Sequence, residues 1–117
     1  MKLSLLLAPA LVASMLVSNA AVAVVSSPLV TVTRIYADTA GSADIAFLVS
    51  GSTSGCSDGF WLRRADPGFA AAYAALLAMY ASQGTLLVYA DNSTGGLWPG
   101  SSGQFCRVTS LIPSLTP

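Results

Sequence analysis

Five stretches of the chain carry the apolar patterns that are typical of β-strands. The first, Leu29 to Ala37, alternates β-branched with polar residues, whereas Ile45 to Ser50 is almost continuously apolar, as expected for a central strand. Runs rich in Gly, Ser, Asp and Asn separate these stretches and indicate turns. The five predicted strands are 29–37, 45–50, 60–64, 85–91 and 104–112.

One segment between the third and fourth predicted strands has a helical pattern instead. Asp66 is a natural N-cap and Pro67 suits the first helical position, while Gly84 is placed to end the helix in a left-handed conformation. Apolar residues at spacings typical of one helix face form a stripe that we expect to face a core. The stripe is Phe69, Tyr73, Leu76 and Tyr80.

The predicted order is therefore β-β-β-α-β-β in a single domain over residues 24–117. This is the order of the OB-fold, a five-stranded Greek-key barrel with one helix between its third and fourth strands. An α+β sheet with the helix packed on one face has the same order and is the alternative.

The N-terminus has the pattern of a signal peptide over residues 1–23. Lys2 precedes an uncharged, Leu-rich run, and small residues follow at Ser18 to Ala20 and at Ala21 to Ala23, the preferred cleavage site. The alternative is a retained anchor, but the run is shorter than the ~20 residues that a spanning helix needs. We therefore expect a secreted or periplasmic protein with no membrane span after cleavage.

The charged residues exclude several functions. The chain has no His, so a Ser-His-Asp triad is impossible and a zinc site would lack its commonest nitrogen ligand. Basic residues are too few to neutralise a nucleic-acid backbone, and the Asp residues lie in or beside predicted turns. We expect no enzyme activity, cofactor, metal or nucleic-acid partner, with a small hydrolase of unknown type as a minor alternative. The charged residues after position 23 are Arg34, Arg63, Arg64, Arg107, Asp38, Asp44, Asp58, Asp66 and Asp91.

Two cysteines, Cys56 and Cys106, are the only ones in the chain. An even number of cysteines in an exported protein predicts a disulfide. Here it would join the loop before the third predicted strand to the fifth. Two free buried thiols are the alternative.

The predicted helix carries no charged side chain between Pro67 and Gln83. Its outer face is formed by alanines, which let another surface approach closely. We expect a second subunit to cover this face, so that the protein is a homo-oligomer, while an exposed Ala-rich helix is the alternative. The interface residues would include Ala70, Ala74, Ala78 and Ala81.

Aromatic residues and neutral hydrogen-bonding groups recur around the loop 92–103. Aromatic faces beside hydroxyl and amide groups suit stacking on a sugar ring, and the corresponding loop of OB-folds is a common ligand edge. Core positions for the two tryptophans are the alternative. The candidate ligand residues are Tyr36, Trp61, Asp91, Asn92 and Trp98, with Tyr89, Ser93, Ser101 and Ser102 near them in sequence.

The order of these features resembles the B subunits of pertussis-like toxins, such as those of subtilase cytotoxin and typhoid toxin. The residues that carry the resemblance are Phe47, Cys56, Trp61, Phe69, Tyr73, Tyr80-x-Ser82-x-Gly84, Val88-Tyr89 and Leu97-Trp98. The resemblance implies OB-fold subunits in a ring, expected to be a pentamer, whose helices line a central pore. It also implies binding of a sialylated or related cell-surface glycan and delivery of a separate toxic A-type subunit.

The same resemblance implies a sugar-contacting serine before the first strand, at Ser26 or Ser27. Cysteine pairs in that family are local, whereas Cys56 and Cys106 are far apart in sequence. The sequence thus predicts a secreted, non-enzymatic binding module, most simply for a glycan. A secreted or periplasmic inhibitor, or another protein-binding module acting through the loop of Trp98, is the alternative.

Overall fold

The computed structural model describes residues 24–39 and 41–114. The signal peptide predicted for residues 1–23 lies outside the described residues, as do residues 115–117. Six strands and one α-helix make up the fold, with a short 3-10 turn at Thr94–Gly96. They are β1 (Val24–Ser26), β2 (Val32–Ala37), β3 (Ile45–Val49), β4 (Gly59–Leu62), α1 (Phe69–Ser82), β5 (Thr85–Asp91) and β6 (Phe105–Ser114).

The strands form one mixed sheet in the order β1-β5-β6-β4-β3-β2, in which only β4 and β6 are parallel. The prediction of a mainly β fold with one helix is confirmed. The prediction of a closed five-stranded barrel is wrong, because the sheet has six strands and is open. The arrangement agrees with the alternative of an α+β sheet that carries a helix.

The sixth strand, β1, was not predicted, because it lies before the first predicted strand, 29–37. The first predicted strand itself begins at Val32 rather than at Leu29. Val24–Ser26 pairs with β5, whereas Val32–Ala37 pairs with β3 at the other end of the strand order. Pro28, which has no backbone N–H, lies in the linker between them. Instead of a regular ladder, the Oγ of Ser27 accepts a hydrogen bond from Val88 N at 2.9 Å.

The same linker, residues 27–31, brings the two edges of the sheet near each other. The backbone of Val30 exchanges two hydrogen bonds with Leu86 of β5, at 3.0 and 2.9 Å. One residue later, Thr31 O accepts a hydrogen bond from Ser50 N at 2.9 Å, next to β3. The sheet is therefore strongly curled, with its edges joined through one short segment.

Two strands, β4 and β6, end at residues other than those predicted, because pairing with neighbouring strands sets their ends. β4 ends at Leu62 rather than at Arg64, because Arg63 and Arg64 enter the turns that lead to α1. β6 continues to Ser114, beyond the predicted end at Ile112, because its register with β5 extends to the pair Thr85–Ser114.

Both ends of α1 differ from the prediction. Gly68 is the N-cap and makes no side-chain cap bond, while the carboxylate of Asp66 lies 3.3 Å from Nε of Arg63. At the other end Gln83, not Gly84, adopts the left-handed conformation, with φ 58°. Gly84 N bonds to Met79 O at 3.1 Å, and a Cβ at Gly84 would lie 2.9 Å from Sδ of Met79. A side chain at Gly84 would therefore have to displace the flexible end of Met79, whereas the φ angle of Gly84 places no demand on glycine.

The predicted helix stripe packs on the core only in part. Leu76 is fully buried, and Phe69 and Tyr73 are half-buried against the core, but Tyr80 is 40% exposed. Met79, which is not part of the predicted stripe, also packs against the core. The buried side of α1 is therefore centred near Leu76 and Met79, with Tyr80 at its margin.

The predicted disulfide between Cys56 and Cys106 is present, with a Cα–Cα distance of 5.4 Å. It lies beside the parallel ladder, in which Phe60 of β4 pairs with Cys106 of β6. The segment it closes spans 50 residues and includes β4, α1 and β5.

Reduction of this disulfide should lower the free energy of unfolding by about 4 kcal/mol, because the unfolded chain regains the conformational freedom of the closed loop. Urea unfolding with and without dithiothreitol measures the change. The double variant Cys56→Ala/Cys106→Ala is the control and should not respond to dithiothreitol. Equal urea midpoints for oxidised and reduced wild-type protein would contradict the expectation.

Candidate functional site

One row of side chains crosses the sheet on the face opposite α1. The cross-strand pairs Tyr36–Ala46, Ala46–Trp61, Trp61–Arg107 and Arg107–Asp91 connect β2, β3, β4, β6 and β5. Directly paired residues point to the same side of a sheet. The fold thus brings three predicted site residues, Tyr36, Trp61 and Asp91, onto one face.

The loop 92–103 folds over the middle of this row. Trp98 packs with Trp61, Ala46 and Phe105, and its ring centroid lies 5.3 Å from that of Phe105 in an edge-on arrangement. Trp98 N also bonds to Phe105 O at 3.1 Å. Trp98 is only 9% exposed and Trp61 is buried, so both indoles form a small second core under the loop.

Polar bonds at the start of the loop fix its path. The Nε1 of Trp61 donates to Gly96 O at 2.8 Å, and Asp91 Oδ1 accepts from Ser93 N at 2.9 Å. Hydrogen bonds from Ser93, with a smaller contribution from Arg107, lower the pKa of Asp91. Asn92 Nδ2 donates to Ser54 O at 3.1 Å. In this structure Asp91 and Asn92 therefore hold the loop in place.

The serines implied by the toxin resemblance lie elsewhere. Ser26 is exposed on β1, opposite Tyr89 of β5. Ser27 is buried, and its hydroxyl donates to Pro28 O at 2.7 Å while it accepts the bond from Val88 N. Tyr89 on β5 and Tyr36 on β2 are separated in the strand order by β6, β4 and β3. The fold therefore does not bring Ser26, Ser27 and Tyr89 together with Tyr36.

Two clefts flank the loop 92–103. The first, which we term the tyrosine cleft, has a volume of about 430 Å³. The second, which we term the arginine cleft, has a volume of about 800 Å³. The tyrosine cleft is lined by Tyr36, Ala37, Asp38, Trp98, Gly100, Ser101 and Phe105. The arginine cleft is lined by Ser42, Asp44, Trp61, Arg63, Arg64, Ala65, Gly95, Leu97, Pro99 and Arg107.

Tyr36 is the accessible aromatic ring of the tyrosine cleft, with 40% of the residue exposed. Arg34 lies beside it, with NH1 3.4 Å from the phenol oxygen and the guanidinium carbon 6.0 Å from the ring centroid. The hydrogen bond to Tyr36 raises the pKa of Arg34 above its ordinary value. The nearby Nε1 of Trp98 is buried and has no hydrogen-bond partner among the described residues.

Apart from Trp61, the sequence did not single out the residues of the arginine cleft. Arg63-Arg64 is only a dipeptide in the sequence, too short to indicate a basic patch. Arg107 joins it because β6 runs parallel to β4, a pairing across more than forty residues of chain that local patterns do not reveal. Leu97 and Pro99 reach the cleft only because the loop folds back on the sheet.

No helix among the described residues is long and apolar enough to cross a membrane. Within residues 24–39 and 41–114, no group of three or more His, Cys, Asp or Glu side chains is placed to hold a metal ion. Comparison of the chain with protein-family models, curated proteins and solved structures finds no significant match.

Gly100 should be essential for the position of Trp98. A Cβ at Gly100 would lie 2.5 Å from Cε2 and Cζ2 of Trp98, so Gly100→Ala must displace the indole or the loop. We expect a lower unfolding temperature and a red-shifted tryptophan emission. Gly95→Ala in the same loop is the matched control, since its Cβ would meet nothing within 4 Å. Equal effects of the two substitutions would show that the loop does not depend on this contact.

Proposed function

We propose that the protein is an exported, non-enzymatic binding module that takes a glycan in the tyrosine cleft. The observation that carries the proposal is an exposed ring, Tyr36, that lines one cleft together with Trp98. The ring offers a stacking surface for a sugar. Ser101 and Asp38 add polar groups at the rim of the same cleft.

Export is supported by the disulfide between Cys56 and Cys106, because such bonds persist in oxidising compartments. An OB-fold-like relationship for the open sheet is supported by the linker 27–31, whose backbone bonds reach both β5 and the end of β3. The parallel pairing of β4 with β6 and the position of α1 between β4 and β5 agree with it.

Assembly into a ring of the toxin B-subunit type is part of the same proposal, with the pentamer as the expected size and an A-type subunit as a possible cargo. The supporting observation is the outer face of α1, where Ala70, Ala74, Ala78 and Ala81 are exposed. Leu77 and Tyr80 are also exposed on this helix, and no charged side chain interrupts it. An apolar surface of this kind is more often covered by a partner than left in water.

A protein-binding module or inhibitor that acts through the loop 92–103 is the second candidate. One feature favours it: the loop is exposed at Pro99, Gly100 and Ser101, while Trp98 and the bonds of Gly96 hold it rigidly from below. A rigid, exposed loop loses little conformational entropy on binding. The glycan experiment distinguishes the two candidates.

A glycan array probed with the protein beginning at Val24 should identify a bound sugar, and Tyr36→Ala should weaken that binding at least tenfold because the stacking surface is lost. Tyr89→Ala is the matched control, since Tyr89 is 36% exposed but lies on β5, away from the cleft. Binding is then titrated by calorimetry. A folded protein that binds no glycan, or a Tyr36→Ala variant that binds as tightly as wild type, would contradict the glycan proposal.

Ala74→Glu should break the ring and leave the monomer folded, because a charge on an exposed helix position costs an isolated helix little but is repeated at every subunit contact. Ala78→Glu should act in the same way. Ser52→Glu, at an exposed loop position away from α1, is the control and should leave the mass unchanged. Light scattering measures the mass, and a wild-type protein that stays monomeric at high concentration would remove the ring from the proposal.

A further inference from the structure

Three of the four arginines in residues 24–114 line the arginine cleft. Arg63 and Arg64 come from the segment after β4, and Arg107 comes from β6, next to Trp61 in the row across the sheet. Two separate parts of the chain thus place guanidinium groups around one space. The proposed glycan cleft, on the other side of the loop 92–103, does not account for this arrangement.

The carboxylates near the cleft are largely engaged elsewhere. Asp44 is 3% exposed, and its oxygens accept bonds from Arg64 N at 2.9 Å and from the hydroxyl of Ser42. Asp91, which is paired with Arg107 across the strands, accepts from Ser93 N. These oxygens therefore satisfy backbone and hydroxyl donors rather than guanidinium groups.

Asp66 is the one carboxylate within ion-pair distance of these arginines among the described residues. One of its oxygens lies 3.3 Å from Nε of Arg63, and the other lies 3.8 Å from Nε of Arg107. The latter distance is too long for a hydrogen bond, and Nε of Arg107 is buried without any acceptor in the described part of the chain. The guanidinium of Arg64 has no ion-pair partner among the described residues.

Each guanidinium carries five N–H donors in a planar fork. The three arginines have more donors than the one carboxylate near them, Asp66, can accept. Planar, bidentate pairing with a carboxylate is the interaction that this geometry favours. The lining of the cleft also includes the apolar residues Leu97, Pro99 and Ala65.

We propose that the arginine cleft is a second binding site, which takes a small organic carboxylate with a compact ring or apolar body. The carboxylate lies against Arg64 and Arg107, and the body of the ligand lies against Leu97 and Pro99. A cleft of about 800 Å³ is within the usual size of small-molecule sites. This site is independent of the proposed glycan site and does not require it.

Benzoate is the probe for the test, and benzyl alcohol is its uncharged counterpart. At fixed ionic strength, a benzoate titration followed by NMR should give saturable shifts of the Trp61 indole and Arg107 Nε signals. Benzyl alcohol should give none, because the donors of the arginines then have no anion to bind. Inorganic sulfate is the third probe. Sulfate binding without benzoate binding would overturn the carboxylate assignment.

Arg64→Gln should weaken benzoate binding at least tenfold without loss of fold, because this side chain is exposed and unpaired. Arg64→Lys, which keeps the charge but not the fork, should also bind more weakly than wild type. Arg34→Gln removes an arginine outside the cleft and is the matched control for net charge. Equal losses in Arg34→Gln and Arg64→Gln, or no saturable benzoate binding by folded wild-type protein, would overturn the proposal. Tyr36→Ala should bind benzoate like wild type, whether or not the glycan proposal holds.

Discussion

The parallel pairing of β4 with β6 is the constraint on which the rest of the molecule depends. Parallel neighbours need a long crossover, and here the crossover contains α1, β5 and the loop 92–103. The pairing places Phe60 on the helix side and Trp61 on the loop side of the sheet. The disulfide joins Cys56, in the segment before β4, to Cys106 in the same part of β6. Both cores and both clefts are built around this pair of strands.

Each face of the sheet is covered in a different way. On one face α1 buries Leu76 against the main core, and on the other the loop 92–103 buries Trp98 against Trp61. The loop covers only the middle of its face, so a cleft remains on each side of it. One cleft offers an exposed aromatic ring, whereas the other is lined by arginines. A single loop thus separates two chemically distinct surfaces.

Local patterns predicted the elements of this fold well but not their arrangement. Strand 85–91 was predicted to the residue, and the disulfide followed from two cysteines alone. Strand β1 and the late start of β2 were missed, because they depend on Ser27 and Val30 bonding to a strand more than fifty residues later. The N-cap was missed because Asp66 pairs with Arg63 instead. For the candidate site, Tyr36 and Trp98 were named from the sequence and line one cleft, whereas Arg107 could not be placed without the β4–β6 register.

The closed covalent loop between Cys56 and Cys106 contains α1, β5 and every residue from 92 to 103. A protease that cuts the exposed loop at Gly100 or Ser101 therefore produces two chains that remain joined by the disulfide. The fragments also remain paired through β5 and β6, whose ladder extends from Thr85–Ser114 to Asp91–Arg107. Nicking at this exposed part of the loop thus leaves the molecule in one piece for as long as its surroundings stay oxidising.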